Sequence, residues 1–188
     1  EPHGVDVFLV VVPYYNKPPQ EGIYQYYKAV AAATEKPVVL YNVPGRTGVN
    51  MTAETTIRLA EIDNIVAVKE ASGNRTQILE ILEKRPEGFV VLSGNDDETL
   101  DLMKNGAEGI ISVASNVTPS MVAELAHDML EGKVAEAEAL HDRLLPLFRN
   151  CFVESNPIPA KAALHAMGFI QNEMRLPLVP ASQPAYDL

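Results

Sequence analysis

The sequence predicts an α/β fold made of parallel βαβ units, and three observations support this prediction. Short apolar segments rich in valine and isoleucine alternate with segments whose apolar residues have helical spacing. A polar loop follows each apolar segment, as expected where buried parallel strands end. After residue 132 the alternation stops and only helical patterns continue. Five consecutive units of this kind suit either a (β/α)8 barrel or a doubly wound sheet.

Each predicted strand is a short run with a high content of β-branched residues. In chain order the strands are expected at 5–12, 37–43, 64–71, 89–94 and 109–115. The helices that follow them are expected at 21–34, 52–62, 75–85, 97–106 and 119–132. On the helix at 75–85, the apolar stripe is assigned to Ile78, Leu79 and Leu82.

The C-terminal third has a different organisation. Helical patterns at 134–153 and 156–168 precede a proline-rich tail, and Gly132 and Gly168 are expected to end helices. We therefore predict two domains, a partial barrel at 1–132 and a small helical domain at 133–188. If the fold is a barrel, about three N-terminal units are missing, since five cannot close an eight-stranded ring.

Composition and charge narrow the function. The 188 residues are 47% hydrophobic and 21% charged, as in ordinary globular proteins. The formal charge of −10 argues against binding nucleic acid, and no apolar run reaches the roughly 20 residues that cross a bilayer. The single cysteine, Cys151, excludes an internal disulfide and fits a reducing compartment. We expect a cytoplasmic protein that binds neither nucleic acid nor membranes.

A lysine at the end of the third predicted strand is the main candidate for chemistry. Strand periodicity puts Ala67 and Lys69 on one face, and Val39 and Tyr41 on one face of the preceding strand. If both faces point into a barrel, an amine meets a phenol. Burial favours a neutral amine, which condenses with a ketone to a Schiff base, and tyrosine is a suitable proton relay. The alternative is that Lys69 simply extends from the strand end into solvent.

Two further loops carry candidate residues. Pro44 and Gly45 are expected to form a tight turn that projects Arg46, whose guanidinium matches a carboxylate. Arg46 could instead hold an acidic residue of an adjacent loop. Tyr14 and Tyr15 follow the first strand, and the alternative for them is half-buried packing on a neighbouring element.

Six motifs in order carry a family resemblance. They are PYYNKPPQEGIYQYY, LYNVPGRTG, VAVKEASGN, LSGND, GIISVASN and NPIPAKAAL, within residues 5–178. In these segments the chain resembles the dihydrodipicolinate synthase family of pyruvate-dependent class I aldolases, which also holds N-acetylneuraminate lyase. The resemblance implies a (β/α)8 TIM barrel, seen here from strand four to strand eight, with a small C-terminal helical domain.

The resemblance also implies an activity and a set of site residues. The reaction would be the condensation of pyruvate with aspartate 4-semialdehyde in lysine biosynthesis, through a Schiff base and without a cofactor or metal. Lys69 resembles the Schiff-base lysine, Tyr41 the proton-relay tyrosine, Arg46 the arginine that receives the aldehyde substrate's carboxylate, and Tyr15 the tyrosine passed into a neighbouring subunit's site. Gly94 and Ile111 match positions that line the pyruvate pocket. A homodimer or homotetramer is therefore expected.

The sequence also departs from the family. The paired threonines of the family's second strand are absent, so we expect a truncated form whose own activity is in doubt. Another pyruvate-dependent aldolase, such as N-acetylneuraminate lyase, and a non-catalytic fragment stay open as alternatives, although Arg46 favours an acidic substrate.

Two other sites are considered and set aside. The acids of GNDDETLD could bind a metal, but Asn95 or Asp96 as a helix N-cap, with acids in the first turn, explains them more simply. Cys151 lies among apolar helical residues, apart from His141 and His165, and is expected in the core.

Overall fold

The computed structural model describes residues 4–188, so the first three residues of the predicted domain 1–132 lie outside the described residues. The chain divides into two compact units. The first contains the residues up to Asn95 together with Asp101–Ile111, and the second contains Asp96–Leu100 and Ser112–Leu188. The domain boundary expected between residues 132 and 133 remains a prediction.

Parallel strands in sequence order form the sheet of the first unit. Within residues 4–188 they are β1 (Phe8–Val11), β2 (Val38–Asn42), β3 (Ile65–Glu70), β4 (Val90–Ser93) and β5 (Gly109–Ile110). Their spatial order is β1-β2-β3-β4-β5, with each strand pairing with the next along the chain. A doubly wound sheet would reverse direction at a switch point. The order is therefore that of a sector of a (β/α)8 barrel, which confirms the predicted fold class.

The predicted strand at 109–115 is wrong beyond Ile110. The chain enters a 3₁₀ helix at Ala114–Asn116 instead. The reason lies with the Asp96 carboxylate, which accepts hydrogen bonds from the backbone N–H groups of Val113 (3.0 Å) and Ala114 (3.3 Å). Those donors are thereby occupied by a side chain and do not extend a strand.

Helices connect the strands and make up most of the second unit. They are α1 (Gln20–Ala32), α2 (Pro44–Thr47), α3 (Ala53–Ala60), α4 (Arg75–Lys84), α5 (Thr99–Lys104), α6 (Pro119–Leu130), α7 (Val134–Asn150), α8 (Ile158–Ala166) and α9 (Gln183–Tyr186), with a further 3₁₀ turn at Asp96–Glu98. Sequence periodicity predicted neither α2 nor α9, since one turn is too short to show a period. Gly132 and Gly168 have positive φ angles just after α6 and α8, as expected of residues that end helices.

Side-chain caps explain where two helices of the first unit begin. The Thr52 hydroxyl accepts from the backbone N–H of Thr55 at the start of α3, and the Asn74 side chain accepts from that of Gln77 at the start of α4. The buried residues of α4 are Gln77, Ile78 and Ile81. The predicted stripe of Ile78, Leu79 and Leu82 was thus shifted, because α4 turns the polar Gln77 toward the sheet.

The two faces of the sheet differ in burial. The face covered by the helices carries Leu40, Val68 and Val91, none of which is exposed. Tyr41 and Lys69 lie on the opposite face and are partly exposed. At the β1 edge of that face, Leu9 is 45% exposed. Full burial of such aliphatic side chains contributes about 1.5–3 kcal/mol each, and on the opposite face Val39 and Ala67 are also buried.

In the second unit α6 packs against α7, and α8 against α9. Cys151 and His141 are buried in this unit. Burial, helped by the charge of Asp96, raises the pKa of the Cys151 thiol to about 11. The thiol therefore stays protonated and packs as a small apolar group, as predicted.

Among the helices of residues 4–188, none combines the length and apolar character that crossing a bilayer requires.

Candidate active site

The structure brings the Lys69 amine against the ring of Tyr41. These residues are directly paired across β2 and β3, and Lys69 is paired in turn with Leu92 of β4. The Lys69 Nζ atom lies 4.2 Å from the centroid of the Tyr41 ring. At this distance the amine contacts the face of the phenol, where a positive charge on nitrogen is stabilised by the ring electrons. The Lys69 side chain thus contacts Tyr41 and is at the same time partly exposed to solvent.

The environment of Tyr41 keeps its hydroxyl protonated. Burial raises the pKa of the Tyr41 phenol, and the positive charge of Arg46 opposes this rise. The net direction is upward, so at neutral pH the phenol carries a proton that it can donate.

Arg46 is exposed and lies on α2, a single helical turn. The tight turn expected at Pro44 and Gly45 is thus the start of this helix, with Pro44 at its first position, where the missing N–H costs nothing. Gly48 ends α2 with a φ of 77°. A Cβ atom at Gly48 would lie 2.9 Å from Cε of Lys17. The Lys17 side chain therefore covers the end of α2, a contact that no local pattern in the sequence indicates.

Tyr15 is held in a conformation that directs it into solvent. Its φ is 68°, in the left-handed region, and its side chain is 92% exposed. Tyr14, its neighbour, is 67% exposed. The interpretation of these two tyrosines as half-buried packing residues is therefore wrong. Within one chain the structure does not bury Tyr15 in the site beside Lys69.

Gly94 lies directly against the lysine. A Cβ atom at this position would be 2.6 Å from Cβ of Ala71, 3.0 Å from the Glu70 carbonyl oxygen and 3.1 Å from Cε of Lys69. The Gly94 N–H donates to that same carbonyl oxygen at 2.7 Å. Only glycine fits so close an approach.

Ile111, just beyond β5, is partly exposed, and its N–H donates to the carbonyl oxygen of Ser93 at 2.9 Å.

A polar cluster on the helix-covered face was missed by the sequence analysis. The side chains of Asn42, Glu70 and Gln77 are buried there, and the amides of Asn42 and Gln77 both donate to the Glu70 carboxylate. We call these three residues the outer-face cluster. The sequence does contain an indication of this cluster. Strand periodicity places Glu70 on the same face as the apolar Val68, and a charged side chain buried on such a face needs hydrogen-bond partners.

The acidic segment after β4 has a structural use. Asp96 is 1% exposed, and its carboxylate accepts from the Ser112 hydroxyl as well as from the two backbone groups described above. Of the two residues predicted as a helix N-cap, Asp96 instead holds the segment after β5, while the alternative of Asn95 stays a prediction. Among residues 4–188, no group of three or more His, Cys, Asp and Glu side chains has a geometry that could hold a metal ion.

Comparisons with known proteins agree on one family. The model of the dihydrodipicolinate synthetase family matches residues 1–187. A 4-hydroxy-tetrahydrodipicolinate synthase from Parabacteroides distasonis is 54% identical over 185 residues, covering 98% of this chain and 62% of that protein. Two crystal structures of dihydrodipicolinate synthase match 98% of this chain. The Thermotoga maritima structure has a TM-score of 0.96 at 48% identity, and the Aquifex aeolicus structure 0.95 at 46%.

The match covers nearly all of this chain but not all of its relatives. The chain spans 64% of the Thermotoga maritima chain and 63% of the Aquifex aeolicus chain. Sequence identity near one half, a TM-score near one and a family match over 187 residues concur. The chain therefore belongs to the dihydrodipicolinate synthetase family.

Proposed function

We propose that this chain carries the Schiff-base half of a 4-hydroxy-tetrahydrodipicolinate synthase site, which condenses pyruvate with L-aspartate 4-semialdehyde in lysine and diaminopimelate biosynthesis. The observation that carries the proposal is the Lys69 amine, 4.2 Å from the Tyr41 ring centroid on the face opposite the helices. The names of relatives about 50% identical support the choice of reaction.

The chemistry follows from an amine beside a phenol, where the aromatic ring also stabilises the positive charge of a protonated imine. The Lys69 amine attacks the ketone carbon of pyruvate, a C–N bond forms, and the former ketone oxygen leaves as water. Loss of a methyl proton from the resulting protonated imine gives an enamine. The enamine carbon attacks the aldehyde carbon of the second substrate, whose own amino group then displaces the Lys69 amine and closes the ring. We assign the proton transfers to Tyr41, because its ring centroid lies 4.2 Å from the Lys69 Nζ atom.

The remaining roles are proposed from position. The Gly94 backbone and Ile111 line the place where pyruvate would lie, and Arg46 receives the carboxylate of the semialdehyde. The 92% exposed Tyr15 is available to a second subunit, in a homodimer or homotetramer. The covalent imine supplies the electron sink, so no cofactor or metal is required. A cytoplasmic location remains a prediction.

Reductive trapping tests the proposal. The protein is incubated with pyruvate and borohydride, digested, and analysed by mass spectrometry. We expect the reduced pyruvate adduct on the peptide that contains Lys69. The proposal is wrong if Lys69 is unmodified while the protein remains folded by circular dichroism, and this result would favour the non-catalytic alternative.

Replacing Arg46 by alanine is expected to weaken binding of the semialdehyde without affecting the reaction with pyruvate. The change removes a charge-assisted pair worth about 1.5–3 kcal/mol, so KM for aspartate semialdehyde should rise about 10- to 100-fold. Trapping with pyruvate alone should change little. Steady-state kinetics with semialdehyde, and with an N-acylated sugar acid in place of it, also distinguish this reaction from that of a sugar-acid lyase.

The matched control is Arg58→Ala. Arg58 is an exposed arginine that pairs with Glu21 at 3.2 Å and stacks on Tyr24. Its removal should leave both KM values unchanged. Equal effects of the two variants on the semialdehyde KM would contradict a specific role for Arg46.

A further inference from the structure

The centre of the outer-face cluster is a buried carboxylate. Glu70 is 0% exposed. The Asn42 amide donates to its two oxygens at 3.1 and 3.3 Å, the Gln77 amide donates at 3.4 Å, and the backbone N–H of Ser72 donates at 2.8 Å. Burial raises the pKa of this carboxyl, and the bonds from Ser72, Asn42 and Gln77 oppose the rise. Burying a carboxylate costs free energy, so we looked for a role of Glu70 beyond packing.

Its partners tie together three elements of the first unit. Asn42 belongs to β2, Glu70 to β3 and Gln77 to α4. The Asn42 side-chain oxygen accepts from the backbone N–H of Met51 at 3.0 Å, and the Asn50 amide donates to Gln77 at 2.7 Å. The segment before α3 is thereby fixed as well. The cluster therefore restrains the ends of both strands that carry the candidate reacting groups.

The register relates the cluster to the active site. Tyr41 pairs with Lys69, and the next pair along the same two strands is Asn42 with Glu70. Consecutive residues of a strand point to opposite faces, so Asn42 and Glu70 each adjoin a candidate reacting residue along their strands. A slip or twist at one pair necessarily moves the other.

We infer that Glu70 is a positioning residue for Lys69, acting from the opposite face of the sheet through the outer-face cluster. This inference rests on the proposed function of Lys69. The two oxygens of the carboxylate accept from donors on β2, α4 and the β3–α4 loop, which fixes the end of β3 both along and across the strand. Glutamine cannot replace it without turning an N–H₂ group toward donors, and alanine leaves those donors unpaired.

The primary test is Glu70→Gln, with the rate of reductive pyruvate trapping at Lys69 as the readout. We expect this rate to fall about 10- to 100-fold in protein that is folded by circular dichroism, because small displacements of a reacting group cost rate steeply. The reciprocal double variant Asn42→Asp with Glu70→Gln restores a carboxylate opposite an amide. It should recover part of the lost rate.

The matched control is Thr56→Val. Thr56 is 0% exposed and its hydroxyl donates to the carbonyl oxygen of Thr52 at 3.0 Å, outside the cluster. This variant loses a buried hydrogen bond of the same unit, and its trapping rate should stay within about twofold of wild type. If Glu70→Gln also stays within twofold, or if Thr56→Val falls as far, the inference is overturned. If Glu70→Gln does not fold, the variant Gln77→Met takes its place, because it removes one hydrogen-bond donor to Glu70. Its trapping rate is then compared with wild type and with Thr56→Val in the same way.

A second readout separates this inference from the proposed function. Trace acetylation of the free protein across a pH range reports the reactivity of Lys69 without pyruvate, with exposed Lys84 as the internal reference. In Gln77→Met, which removes a donor from the cluster without changing its charge, the acetylation rate of Lys69 relative to Lys84 should change at least about threefold, and in Thr56→Val it should not. If wild type is not trapped, the proposed function fails, and this relative rate alone decides whether Glu70 positions Lys69. An unchanged relative rate in Gln77→Met overturns the inference.

Discussion

Replacing Lys69 by methionine is expected to abolish the pyruvate adduct. Methionine is a flexible, unbranched side chain that can occupy the space beside Tyr41, yet its thioether cannot form an imine with a ketone. After incubation with pyruvate and borohydride, mass spectrometry should find only background modification of the chain. Because the position is partly exposed and the backbone pairing of β3 with β2 and β4 does not need the amine, the fold should persist.

Lys84→Met is the control for this result. Lys84 is a surface lysine of α4 that pairs with Glu80 at 2.8 Å, so its loss removes an amine without touching the site. Trapping should proceed in this variant as in wild type. An adduct that survives in Lys69→Met, or that disappears in Lys84→Met, would assign the nucleophile to another amine.

Replacing Gly94 by alanine is expected to affect both stability and trapping. The new methyl group would lie 2.6 Å from Cβ of Ala71 and 3.0 Å from a backbone oxygen, so the chain must move. Overpacking of this kind costs about 1–3 kcal/mol of unfolding free energy. The same methyl group would lie 3.1 Å from Cε of Lys69, which displaces the amine from Tyr41. Urea unfolding measures the first effect and the trapping rate measures the second.

Gly45→Ala provides the comparison for stability. A Cβ atom at Gly45 meets nothing within 4 Å, and the residue lies in α2, where alanine is favoured over glycine by about 1 kcal/mol at most. Its unfolding free energy should equal or exceed that of wild type. If Gly94→Ala unfolds at the same urea concentration as Gly45→Ala, the close approach of Gly94 to Lys69 is not a constraint on the fold.

Local periodicity predicted most of the elements and failed where non-local contacts intervene. The first four strands and the long helices follow directly from runs and spacings of apolar residues. The fifth strand was predicted too long, because the Asp96 side chain captures backbone donors at Val113 and Ala114. The stripe of α4 was shifted, because Gln77 is buried and bonds to Asn50 and Met51 as well as to Glu70. In each case a polar partner distant in sequence outweighed the local pattern.

The sequence by itself determined which residues share a face: the two-residue period of a strand places Lys69 with Ala67 and Tyr41 with Val39, whatever the neighbours are. Only the tertiary structure decided that Tyr41 stands opposite Lys69, that Gly94 touches the lysine, and that Asn42 and Gln77 meet Glu70. The physical reason is the distance along the chain over which each interaction acts. The alternation of side chains is set by the backbone of each residue, whereas register and close approach depend on the packing of segments many residues apart.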